Sequence, residues 1–281
     1  MLESRIEMPD AFVFEELDRN LTRHSEMLAK ILASRVTAQD FSLTSLGSRA
    51  LESLGLLTLK GEAGSDEAAK FLGIAAHAES YSLELANYPE ASREIEVLIP
   101  PRADSFFRLT VGPNSTAHPD RWLRAFYLTL MWWQPALIET VLLNIRYEVL
   151  QASSTKSPAY RYLQVEAAKA LYRDAPDAPE KILETLEAMA HLPGDSQEFA
   201  AFIAMHECGM MAKLALRDEA GFNQEVELAL ASHVKFYCEG ETRRNGPEAW
   251  LCLPALGLAA LAKRRGMSVT VQSPYLPHAL L

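Results

Sequence analysis

Residues 249–262 read Ala-Trp-Leu-Cys-Leu-Pro-Ala-Leu-Gly-Leu-Ala-Ala-Leu-Ala, without one charged side chain. A helix on a protein surface keeps a polar face, so a helix that is apolar on every side belongs inside a core. The run is shorter than the ~20 apolar residues that a membrane span requires. It therefore reads as the central helix of a soluble protein, with other helices packed around it. Asn245-Gly246-Pro247 supplies a turn and then a proline where the first helical N–H has no partner to lose. Lys263, Arg264 and Arg265 fill the last turn, where cations complement the helix dipole, and Gly266 follows as a left-handed cap. Pro254 inside the run removes one internal hydrogen bond and should kink the helix or mark a restart. Met267 to Gln272 then alternates with β-branched residues and reads as a short strand.

Working back to the start, Asp10 is placed to cap a helix to about Ser34, and Thr37 with Asp40 to open a second through Leu57. Ser65 caps a third that runs to Asn87, with Asp66 and Glu67 at its positive end. Ile95–Ile99 and Phe106–Val111 are β-rich runs, and a lone hairpin is marginal in water. Residues 267–272 are the candidate third strand. Beyond His118 the pattern is helical: a stripe of Trp122, Phe126, Leu130 and Trp133, a helix from Pro135 to about Ala152, and four more between Tyr160 and Cys238. Short polar connections favour antiparallel hairpins. No internal repeat period is present. The expected fold is mainly α, with antiparallel helical hairpins around a buried C-terminal helix and a small β insert at residues 95–111. The chain is taken as a single domain, 1–281, with a subdivision at 117/118 left open.

The formal charge is −10, and up to Ala117 there are 11 Lys and Arg against 18 Asp and Glu. Such a balance argues against nucleic acid as a partner, since that affinity rests on basic side chains neutralising phosphates. The acid either keeps the protein soluble or steers it to a basic partner, such as a nuclease with a positive substrate groove. Three separated cysteines, 208, 238 and 252, fit a reducing compartment, and the N-terminal residues carry no secretory signal, so a cytoplasmic location is expected.

Phosphate-binding, dinucleotide-binding, nucleophile-elbow and zinc-protease motifs are all missing from the sequence. His206-Glu207-Cys208 is the nearest approach to a metal cluster, but consecutive helical residues diverge by about 100° and do not converge on one ion. No catalytic residue, metal or cofactor is expected. Glu180, Glu184 and Glu187 share one helix face, which reads as a solvated face or as part of an acidic docking surface. Trp132-Trp133 offers an interface anchor if one ring is exposed, and Arg243-Arg244 reads as a solvated loop.

Arg217-Asp-Glu-Ala-Gly-Phe222, the amphipathic helix after it to Tyr237, the buried helix, Arg265-Gly266, the strand and Tyr275-Leu276-Pro277 together resemble the C-terminal third of the Immunity 49 family. The resemblance implies a non-enzymatic immunity protein of a bacterial polymorphic-toxin system, one that binds a cognate toxin and occludes its active site. It carries no toxin-contacting residues with it. On charge and exposure alone, Glu62, Asp66 and Glu67 are the first choice for the docking face and Glu180, Glu184 and Glu187 the second. The competing reading is a helical adaptor with another protein partner. Oligomeric state is not legible.

Overall fold

The computed structural model describes residues 18–23, 26, 40–88, 94–98, 106–110, 112, 116–190, 192, 194–238 and 243–281. Most of the expected first helix and the Thr37 cap lie outside these residues, although 18–23 are helical. Helix α1 (Asp40–Leu59) and helix α2 (Asp66–Asn87) pack side by side, and the Ser65 hydroxyl caps α2 by accepting the Ala68 N–H at 3.1 Å. Strands β1 (Glu94–Leu98) and β2 (Phe106–Thr110) pair antiparallel, with Glu96 opposite Arg108.

Helix α3 (Pro119–Trp132) carries the aromatic stripe inward: Trp122, Phe126 and Leu130 are inaccessible to solvent. The expected continuous helix from Pro135 to Ala152 is instead broken into α4 (Pro135–Thr140), a single tight turn at Leu142–Asn144 and α5 (Tyr147–Ala152). Side chains take the carbonyls that a continuous helix would use. The Trp122 indole donates to the Leu142 carbonyl at 2.9 Å, and the Asn144 amide donates to the carbonyls of Glu139 and Thr140.

Helices α6 (Ala159–Tyr172) and α7 (Ala178–Met189) then form a hairpin. Next come α8 (Gly194–Phe199), a π turn at Ala200–Ala204, α9 (Met205–Ala215), α10 (Glu219–His233) and a second π turn at Val234–Cys238. The two reversals, after α6 and after α9, use left-handed residues, Asp174 (φ 54°) and Arg217 (φ 56°), and these two side chains bond each other at 2.9 Å.

The uncharged run resolves into two pieces. Helix α11 (Pro247–Trp250) stops at Leu251, and α12 (Leu253–Arg264) restarts with Pro254 in its first turn. Pro254 therefore starts a helix and does not kink one. Every residue from Ala255 to Ala262 is buried, and α12 packs on α3, α9 and α10. Gly266 (φ 80°) ends it in the left-handed region as expected, with the Met267 N–H donating back to the Ala262 carbonyl.

Two helices meet at Gly257. A Cβ built there would lie 2.7 Å from the Cα and Cβ of Tyr127 on α3, so the absent side chain sets the spacing between α3 and α12. Gly257→Ala gains helix propensity of about 1 kcal/mol but overpacks this crossing at about 1–3 kcal/mol. Because the 2.7 Å clash falls on a backbone atom, the upper end of that cost applies and the expected net loss is about 2 kcal/mol, read as a lower denaturant midpoint; an unchanged or higher midpoint would show that the helices separate freely.

The expected strand at 267–272 is not a strand. The segment is extended, but helix side chains, not a neighbouring strand, satisfy its backbone. Glu219 accepts the Ser268 N–H, while Asn223 accepts the Thr270 N–H and donates to the Ser268 carbonyl, all at 2.8 Å. It does not join β1 and β2, whose sheet has two strands among the described residues.

Candidate functional site

The N-terminal ends of α3 and α12 open on a cleft of about 180 Å³. Asp120, Arg124 and Tyr127 follow one another at intervals of four and three along α3, so they share the face of the helix that lines it. Opposite them, α6 brings Arg161, α9 brings Glu207, and the end of α10 with its π turn brings His233 and Tyr237. Cys252, at the break between α11 and α12, forms part of the floor.

A buried ionic network holds this wall. The Arg161 guanidinium is 4% exposed, and it donates through Nε to Asp120 at 2.6 Å and through Nη1 to Glu207 at 2.7 Å and Gln164 at 2.8 Å. Gln164 turns its amide to the same Glu207 oxygen. Burial works to lower the Arg161 pKa, but the Glu207 and Asp120 carboxylates outweigh it and raise the pKa above its ordinary value. Burial likewise acts to raise Asp120, and contacts with His118, Arg161 and Ser157 override it, holding this carboxyl well below the usual carboxylate range. Both partners are therefore charged at neutral pH.

A second ionic set borders the first. The Arg124 guanidinium meets Glu248 at 2.7 Å and approaches Glu79 at 3.9 Å; Glu79 is wholly inaccessible and pairs with Arg121 at 2.7 Å. His233 faces the Ala249 carbonyl through Nε2 at 3.2 Å, and burial brings its pKa down to about 4, so the ring is neutral with its proton on Nε2. Burial pushes the Cys252 thiol up to about 12, which makes it a neutral lining group and not a nucleophile. The Tyr127 hydroxyl lies in the wall with no hydrogen-bond partner among the described residues.

The acids proposed from sequence lie elsewhere. Glu62, Asp66 and Glu67 are all exposed at the turn before α2 and in its first turn; Lys60 lies 3.4 Å from Glu62. Glu180, Glu184 and Glu187 are exposed on α7, around Leu183, which is itself 55% exposed. Helix α2 packs on α1 and α3 whereas α7 packs on α6 and α9, so the two sets occupy separate parts of the fold. Trp132 and Trp133 are both half-buried, with the Trp132 ring against Gly73 and the Arg264 guanidinium 4.8 Å from the Trp133 ring. Arg243 is not a purely solvated loop residue: it pairs with Glu198 at 2.7 Å and stacks 4.1 Å over Phe236.

His206 bonds Glu225 at 2.7 Å and Ser232 at 2.9 Å, and Cys208 is buried, which makes both packed helix residues. Glu207 between them is the member of that triplet that reaches the cleft, through a charge that sequence reading assigned to no partner. Among the described residues no group of His, Cys, Asp or Glu is arranged to hold a metal ion, and no helix is long and apolar enough to cross a membrane.

No curated protein and no solved structure matches the chain. The family model described as Immunity protein 49 matches residues 64–280, reaching well N-terminal of the stretch that carries the sequence resemblance. That match takes in the Ser65 cap, the whole ionic wall of the cleft and the central helix, and the chain belongs to the Immunity protein 49 family.

Proposed function

We propose that this protein binds a cognate toxin and blocks the toxin's active site, protecting the cell that makes both. The observation that carries the reading is the family match over residues 64–280. The charge of −10 supports a basic toxin domain, nuclease-like in its positive groove, over nucleic acid as the partner. Protection requires that binding outrun damage, and complementary charge raises association rates more than final affinity. On this reading the exposed acids steer the encounter, those at Glu62, Asp66 and Glu67 first and the Glu180, Glu184 and Glu187 stripe second, and the complex forms in the cytoplasm.

Co-expression with the toxin encoded beside it, followed by size-exclusion chromatography and a viability assay, tests the function. A stable equimolar complex and surviving cells are expected. Clearance of a large toxin excess by a trace of the protein would point to chemistry and overturn occlusion. The steering role has its own test. Glu62→Lys, Asp66→Lys and Glu67→Lys together should slow association about tenfold at low salt and change dissociation little. The fold should survive, at a cost of roughly 0.3–1 kcal/mol per cation placed near the positive end of α2. Unchanged association kinetics would exclude this face and move the role to the α7 stripe.

A further inference from the structure

The cleft walls are chemically unbalanced. Of its charged groups, Asp120, Glu207 and Glu248 are negative and Arg124 and Arg161 positive, which leaves one negative charge in excess beside a neutral His233. Both guanidiniums are already paired: Arg161 spends Nε and Nη1 on Asp120, Gln164 and Glu207, and Arg124 turns Nη2 to Glu248. Acceptors are left over. Among the described residues Glu207 meets its partners through Oε2 alone, and His233, with its proton on Nε2, presents Nδ1 as a lone pair. Tyr127, 2% exposed, has a hydroxyl with no partner among the described residues. A buried unsatisfied hydroxyl carries its full desolvation cost until something bonds it. Tyr127, Phe199 and Tyr237 add aromatic surface of the kind that attracts cations.

We infer that the cleft receives one basic side chain, a lysine or an arginine, from the toxin. Its cationic head brings the wall to charge balance and donates to the Tyr127 hydroxyl and the open Glu207 oxygen, and its aliphatic stem lies along the aromatic rings. An anionic group would meet three carboxylates, and each guanidinium already faces a carboxylate of its own. The inference rests on the immunity reading for the source of the side chain, and it separates two tasks: exposed acids steer, and the cleft anchors.

The test uses the purified full chain and small probes that need no toxin. Propylguanidinium and butylammonium are titrated at constant ionic strength, with butyrate and butyramide as controls, and the tyrosine ring signals are followed by NMR. The cations should saturate with a Kd of about 1 mM. Butyrate and butyramide should not saturate. Tyr127→Phe removes only the orphan hydroxyl, so the variant should melt at or above the wild-type temperature while binding the cations about tenfold more weakly. The inference is overturned if butyrate saturates in place of the cations, or if neither cation saturates. It is also overturned if Tyr127→Phe binds them as the wild type does. Protection of toxin-expressing cells is scored separately on the wild type. Intact protection with no cation binding removes the anchor and leaves immunity standing; absent protection removes the immunity reading and, with it, the toxin as the source of the side chain.

Discussion

Arg161→Ala is expected to cost about 3–5 kcal/mol of unfolding free energy, the loss typical when one partner of a buried ion pair is removed. The guanidinium is the hub between two carboxylates and an amide, and Glu207 is itself only 2% exposed. Without Arg161, the Glu207 carboxylate keeps one amide donor and loses its counter-charge, and at 2% exposure it regains little water in exchange. Removing the whole network has a different consequence. In Arg161→Met with Gln164→Leu and Glu207→Leu, the charge that stays is Asp120, whose side chain is 42% exposed and keeps the Ser157 hydroxyl, and apolar replacement of a buried ionic set is commonly neutral or stabilising. Chemical denaturation of the single and triple variants reads both. A loss below about 1 kcal/mol for Arg161→Ala would show that water reaches the network, and the desolvated wall described above would not exist. If the triple variant is as unstable as the single one, the loss is one of packing and not of charge.

Leu256→Ala in the central helix should lower stability by about 2–5 kcal/mol, through lost burial and the cavity left behind. Leu256 is 0% exposed and Leu261 3%, on a helix that packs against α3, α9 and α10. The same close crossing at Gly257 that fixes the spacing of α3 and α12 leaves their backbones little freedom to collapse into a hole, which favours the upper part of that range. Leu261→Ala should fall lower, since Leu261 sits a turn closer to the exposed Lys263 and Arg264. A loss under about 0.5 kcal/mol for Leu256, the scale of an ordinary surface change, would remove α12 from the centre of the fold.

The central helix was legible because absence of charge is a local property, and so were its left-handed glycine and the Ser65 cap, each a feature of a few adjacent residues. The restart at Pro254 was half legible, since a proline inside an apolar run permits a kink or a new first turn, and only the path of Leu251 and Cys252 decides. Residues 267–272 misled for a physical reason. Alternating β-branched residues favour an extended backbone, but extension does not specify what supplies the hydrogen bonds, and here Glu219 and Asn223 supply them. The cleft was illegible. Arg161 lies 41 residues from Asp120 and 46 from Glu207, and each alone reads as a surface charge. The one clue was position: Arg161 stands between Tyr160 and Tyr162 in an otherwise apolar turn.

Both π turns border this cleft. Phe199 and Ile203 flank or lie within the first, and His233 and Tyr237 do the same for the second. In the first, the Met205 N–H reaches back five residues to the Ala200 carbonyl, one more than an α turn spans. Each of these two segments is thus a single codon away from an ordinary helix. Losing the exposed Ala201 would give α8 and α9 a regular, continuous ladder and rotate everything on one side of it by about 100° relative to the other. Phe199 and Glu207 would no longer face the same space. A deletion that improves the helix would therefore erase the recess, so the register of these two helices and whatever the recess holds stand or fall together.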